Sequence, residues 1–230
     1  MKHSGKARRA AFKMILLSFL AGFLIWLTVA VASLIGTILS AIVVPVLLVL
    51  WVLFSIFTLY FFRDPHATVP AGANLVVSPG HGKIDAIDTT TEPQFMGGEC
   101  QRVSMFLSVM NVHVQNAPVT GKVSFFKYTT GQFINALRSE SAVHNENVLL
   151  GFVASEPPEQ KVGVRLIAGV IARRIVPYVQ AGEEVQRGDR ISLIQFGSRV
   201  DVYLPLNARI RVKLDDAVVG GETILAELVA

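Results

Sequence analysis

Cysteine is almost absent from this chain of 230 residues. A single cysteine, Cys100, excludes an intrachain disulfide and cannot alone make a cysteine-rich metal site. It suits a reducing compartment and reads as a small buried or half-buried side chain. No HExxH pair, phosphate-binding loop or other metal-ligand spacing occurs, so no metal is expected. Charge is sparse, 17% of residues, and unevenly placed. Lys2, Lys6, Arg8, Arg9 and Lys13 form a basic arm without an acid, leaving 16 basic against 17 acidic residues in the remainder. A nearly neutral remainder argues against nucleic-acid binding, which needs a basic surface on the folded domain.

From Met14 to Phe62 there is no charged residue at all, a run of 49 positions. One bilayer crossing takes about 20 apolar residues. The run therefore fits two spans, near Met14–Ala32 and Leu39–Tyr60, with Ser33 and Gly36 in a tight turn between them. A cleaved signal peptide, with an apolar region of about 7–15 residues, does not describe it. Pro45 falls inside the second span, where a membrane helix tolerates a kink. The basic arm stays cytoplasmic under the positive-inside rule, so two crossings return the chain to the cytoplasm at Arg63. The expectation is a basic arm and transmembrane hairpin over residues 1–62. A second domain, residues 63–230, then lies on the cytoplasmic face of the cell (inner) membrane.

That second part, 168 residues, is long enough for a proper core. Alternating apolar and polar residues predict strands at Leu75–Ser78, Lys83–Ile87, Arg102–Leu107, Gly121–Tyr128, Asn147–Ala154, Val162–Ile171 and Arg209–Leu214. One helix is predicted at Phe133–Ser139. The fold class is therefore α+β: a β-rich, sandwich- or barrel-like domain behind a two-helix transmembrane hairpin. The stretch Arg190–Pro205, RISLIQFGSRVDVYLP, is strand-like on both sides of a Gly197-Ser198 pair. A glycine inside such a run usually marks a bulge, a bend or a close backbone approach. Gly163–Leu228 resembles the compact β-sandwich of lipoyl- and biotin-carrier domains, but it lacks the lysine those domains carry at a hairpin tip.

Seven segments in order carry a wider resemblance. They are FFRDP (Phe61–Pro65), VVSPGHGKI (Val76–Ile84), FLSVMNVHVQNAPVTGKV (Phe106–Val123), ESAVHNENV (Glu140–Val148), IAGVIARRIVPYV (Ile167–Val179), FGSRVDVYLP (Phe196–Pro205) and VVGGETILAEL (Val218–Leu228). With them the chain resembles the short bacterial form of the phosphatidylserine decarboxylases, a membrane-anchored, pyruvoyl-dependent family made as proenzymes. The resemblance implies self-cleavage between Gly197 and Ser198 into a large and a small chain, with Ser198 becoming a pyruvoyl cofactor. It also implies decarboxylation of phosphatidylserine, drawn from the bilayer, to phosphatidylethanolamine through a Schiff base with that group. A glycine before the serine leaves the attacked carbonyl unobstructed. Homo-oligomerisation is left open.

Two histidines are singled out on the same grounds. His113 matches the family's S-x-x-x-V-H segment and is expected to do acid–base work in decarboxylation. Longer members carry a second histidine three residues on, where this chain has Asn116. The family usually reads S-P-A-D-G where this chain reads Ser78-Pro79-Gly80-His81-Gly82. His81 can accept a proton from Ser198 but lacks the negative charge of an aspartate. Arg173 and Arg174 are arginines of the kind that meet lipid phosphates, or a solvated pair. His66 and His144 read as surface residues, and His3 as part of the arm. Two other readings fit the residues. One is a relative that no longer cleaves itself and persists as a membrane-bound lipid-binding or scaffold protein. The other is a carrier-type sandwich tethered to the membrane as an assembly module.

Overall fold

A computed structural model describes residues 6–131, 145–169, 174–195 and 198–229. The predicted helix Phe133–Ser139 lies outside the described residues. The apolar run is helical throughout: α1 (Lys6–Ile38), a π-helical turn at Leu39–Val43, and α2 (Val44–Phe61). The turn expected at Ser33 and Gly36 is not seen, because both residues lie inside α1. The hydroxyls that follow these residues bond back along the helix. Thr37 Oγ1 donates to the Ser33 carbonyl at 2.8 Å and Ser40 Oγ to the Gly36 carbonyl at 2.9 Å. In the π turn the Val44 N–H reaches back to the Leu39 carbonyl. That wider turn accommodates Pro45, whose ring presses on the carbonyl four residues earlier in a regular helix.

The chain divides into two compact units, Met1–Thr58 and Leu59–Ala230. The second is built from strands. Three open it: β1 (Leu75–Val77), β2 (Gly82–Glu92) and β3 (Gly98–Leu107). Then come β4 (Val114–Asn116), β5 (Gly121–Thr129), β6 (Asn147–Ala154) and β7 (Lys161–Ala168). Short β8 (Ile175–Pro177) and β9 (Glu184–Val185) precede β10 (Arg190–Ile194) and β11 (Ser198–Leu204). The chain closes with β12 (Arg209–Ile210), β13 (Ala217–Val218) and β14 (Ile224–Glu227).

Among the described residues these make one antiparallel sheet of eight strands, ordered β13-β2-β3-β11-β7-β6-β5-β9. Two three-stranded sheets, β1-β14-β12 and β4-β10-β8, accompany it. β2 and β5 alternate buried and exposed residues at their starts, as a sheet with one wet face requires. β11 is buried at all seven positions because both of its faces are covered. Val200, Val202 and Leu204 enter the main core with Val103, Met105, Val164 and Leu166. Tyr203 points the other way, into a smaller cluster with Phe95, Cys100 and Leu149. Successive side chains alternate across a strand, so Ser198 shares the core face, while Arg199 and Asp201 share that of Tyr203.

The stretch that reads as one strand interrupted by Gly-Ser is two strands in two different sheets. β10 belongs to the three-stranded sheet with β4 and β8, and β11 to the eight-stranded one. The chain therefore changes sheets between Ile194 and Ser198, which is not a bulge in one continuous ladder.

Candidate active site

Ser198 is the first residue of β11 and is fixed from both sides. Its register partners are Leu107 on β3 and Ala168 on β7. The Ala168 carbonyl accepts a 2.7 Å bond from Asn145 Nδ2, and the Ala168 N–H donates to the Glu146 carbonyl at 3.0 Å. Ser198 is fully buried, and its Oγ has no hydrogen-bond partner among the described residues. A buried hydroxyl without a partner forfeits about 1–3 kcal/mol. Such a group is expected where chemistry, not stability, decides the residue.

On the preceding strand, the Ile194 N–H donates to the His113 carbonyl at 3.1 Å. Ile194, the partner of His113, is thus only four residues before Ser198, the partner of Leu107 and Ala168. His113 is fully buried, with its ring 4.3 Å from that of Phe61. Its Nδ1 lies 2.9 Å from the Asn111 carbonyl. A carbonyl only accepts, so Nδ1 carries the proton and Nε2 is the acceptor of the ring. Burial pushes His113 down to about 4; the Asn111 carbonyl opposes this, and the charge of Arg63, joined by that of His81 once it is protonated, adds to it. His113 is therefore a neutral imidazole at neutral pH, fit to take up a proton through Nε2.

His81 sits at the edge of the same group. Lys83, Phe106 and Arg199 form one row across β2, β3 and β11. The next row carries Leu107 beside Ser198, with Gly82 and then His81 running on from Lys83. A Cβ on Gly82 would lie 2.4 Å from the backbone oxygen of Phe106, so only glycine lets the strands approach this closely. The His81 ring packs against Gly220 and Asn116: a Cβ placed on Gly220 would be 2.9 Å from His81 Nε2 and Cδ2 and from Asn116 Oδ1. Asn116 Nδ2 donates to the Gly188 carbonyl at 2.7 Å, which turns its oxygen toward that gap. His81 is held below the ordinary histidine range, first by burial and then by Arg63, against the opposing charges of Glu222 and Asp64. It too is neutral at neutral pH.

Of the residues singled out from sequence, Ser198 pairs with Leu107, His113 bonds through its carbonyl to Ile194, and His81 is near enough to act on His113. Gly197, Arg173 and His144 lie outside the described residues. Arg174 and His66 are exposed. Three neighbours lie within the family segments but were given no role there. Asn145 pins the strand beside Ser198, and Asn116 faces His81. Arg63, the first charge after the apolar run, acts on both histidines. Its position at the end of that run was the one available signal. Among the described residues, no group of three or more His, Cys, Asp or Glu side chains is placed to hold a metal ion. A group generated from Ser198 itself fits the site, since it would occupy the place of a buried hydroxyl that no described residue binds.

The sequence profile of the family described as phosphatidylserine decarboxylase matches residues 54–226. A protein of Desulfotalea psychrophila named phosphatidylserine decarboxylase proenzyme is 42% identical over 184 residues, covering 80% of this chain and 85% of the relative. Proteins of the same name from Burkholderia ambifaria and Burkholderia cenocepacia are 43% and 44% identical, each over 77% of this chain and 81% of the relative. The matched span takes in the Gly197-Ser198 pair and both histidines. The chain belongs to the phosphatidylserine decarboxylase family.

Proposed function

We propose that this chain decarboxylates phosphatidylserine to phosphatidylethanolamine, after cutting itself between Gly197 and Ser198. The observation that carries the proposal is Ser198 Oγ, buried and without a hydrogen-bond partner among the described residues, and the neutral His81 and His113 support it. In the self-cleavage a neutral imidazole, His81 on this reading, takes the Ser198 hydroxyl proton, and the oxygen attacks the Gly197 carbonyl. The peptide C–N bond breaks as the C–O ester forms. Loss of the Ser198 Cα proton then expels Gly197 as a carboxylate, leaving dehydroalanine, which water converts to ammonia and a pyruvoyl group. That group supplies a carbonyl able to condense with an amine and to draw off the electron pair released as carbon dioxide leaves.

The remaining tasks belong to the chain's own residues. Leu107 and Ala168 hold residue 198 in register, so the new terminus stays where the hydroxyl was. His113 handles the proton that must return to the decarboxylated carbon, through Nε2, because Nδ1 is committed to Asn111. The helical run of 47 residues, Ile15–Phe61, has no Asp, Glu, Lys or Arg. Straight, it measures roughly 70 Å at about 1.5 Å per residue. The bilayer's apolar core is about 30 Å thick, so the run is long enough to cross twice, with the π turn at Leu39–Val43 as the place where this continuous helix would fold back. This returns the catalytic domain, residues 63–230, to the cytoplasmic face of the inner membrane, where its lipid substrate lies.

Intact-mass measurement on purified protein tests this. Two chains are expected, the smaller of 33 residues with a carbonyl at its amino terminus. Ser198→Ala should give one uncleaved chain with no activity on phosphatidylserine. An uncleaved wild-type chain that still decarboxylates the lipid overturns the pyruvoyl mechanism.

A further inference from the structure

Arg63 is tied to the loop that joins the two halves of the site. Its Nη1 donates to the Tyr60 carbonyl at 2.7 Å and its Nη2 to the Met110 carbonyl at 2.8 Å. The guanidinium lies 3.9 Å from the centre of the Tyr60 ring. Met110 sits in the turn between Leu107, the partner of Ser198, and His113. Arg63 is thus a fixed cation one loop away from both reacting residues, and Phe61, two positions earlier, stacks on His113.

The nearby acids are engaged elsewhere. Asp64 pairs with Arg190 at 3.0 Å, and Glu222 accepts from the Thr68 N–H at 2.9 Å. Among the described residues no carboxylate lies within ion-pair distance of Arg63. Two of its five N–H groups go to carbonyls, so three are left to a ligand, and the side chain is half-exposed. A planar guanidinium with spare donors matches the oxygens of a phosphodiester. Its surroundings are those of a lipid headgroup: it follows directly on the apolar run, beside the exposed Phe62 and Met110.

We propose that Arg63 is the phosphate subsite for the substrate, binding the phosphodiester so that the serine headgroup reaches residue 198. This rests on the decarboxylase reading and names a contact within it. It also moves the phosphate contact from Arg173 and Arg174, where the sequence offered it, to the first charged residue after the membrane segment.

The test compares two substrates in detergent micelles: phosphatidylserine and an O-alkyl serine of similar apolarity that lacks phosphate. Wild type, Arg63→Gln and Arg63→Lys are assayed after a denaturing gel has measured their self-cleavage. For Arg63→Gln the ratio of kcat/KM for the lipid to that for the ether should fall about 10- to 100-fold, mostly through KM, as loss of charge-assisted bonds implies. Arg63→Lys, which keeps the charge without the fork, should recover part of that ratio. Should the ether not turn over, its inhibition constant against the lipid replaces its kcat/KM. An equal loss on both compounds means that Arg63 only holds the Met110 loop and overturns the subsite; so does no loss on either. Wild type inactive on both overturns the decarboxylase reading instead.

Discussion

Replacing Gly220 with alanine should slow self-cleavage without unfolding the protein. An added methyl would lie 2.9 Å from His81 Nε2 and Cδ2 and from Asn116 Oδ1, against 3.4 Å for the shortest ordinary contact, so the ring must retreat by about half an ångström. Gly220 is not among the glycines with positive φ, so alanine meets no backbone strain there. The atoms it meets are side-chain atoms able to shift, which puts the stability cost near the lower end of about 1–3 kcal/mol. Chemistry is less forgiving. A 1 Å misplacement of a reacting group costs on the order of 100-fold, so half that distance predicts roughly tenfold slower cleavage. The assay is a time course of freshly translated chain on a denaturing gel, with a thermal melt alongside. His81→Ala should be slower still, and adding Gly220→Ala to it should change nothing further, because both act through one side chain. Wild-type cleavage kinetics in Gly220→Ala would refute the assignment of His81 as the base.

Other outcomes follow from the same geometry. Because His81 is held below its ordinary range, cleavage should be flat from pH 8 to about 6.5 and fall only in more acid solution, measured as initial rate against pH. His113 stays neutral in the fold down to about pH 4, whereas in the unfolded chain it protonates near 6.5. Its contribution to stability is complete above that value and is lost as pH falls from 6.5 to 4, about 3 kcal/mol in all. Denaturant melts of wild type and His113→Gln across this range should show the slope in the first and not in the second. Gly82→Ala sets a Cβ 2.4 Å from a backbone oxygen that cannot yield, so it should leave little folded protein on a gel-filtration column. A reporter fused after Ala230 and active only outside the cytoplasm should remain silent; a strong signal would contradict the double crossing.

Much of the strand pattern was legible because alternation survives wherever one sheet face meets water, as in Gly121–Tyr128. It failed where burial is two-sided. Ser198–Leu204 are buried at every position, and nothing in an apolar-rich run says that the chain changes sheets between Ile194 and Ser198. Short strands such as Val114–Asn116 and Ala217–Val218 are too brief to show a period. The turn expected at Ser33 and Gly36 rested on the length of the apolar run, which says that two spans fit but not where the helix would break. At the site, Ser198 and His113 were legible only as matches to family segments. His81 stood out as a departure from one. Arg63 and Asn116 act through what lies across from them, which one-dimensional spacing does not reveal.

The central placement of β11 has a consequence for the lifetime of the enzyme. On the proposed chemistry the prosthetic group is the first residue of a strand clamped along its length by β3 and β7. Replacing it would mean pulling a middle strand out of a finished sheet. A cofactor that binds reversibly can be renewed when it is spoiled by an errant reaction, but this one cannot. Each molecule therefore receives its reactive carbonyl once, and damage to it is repaired only by making another chain. Activity in the cell should then track synthesis of new precursor rather than the supply of any small molecule.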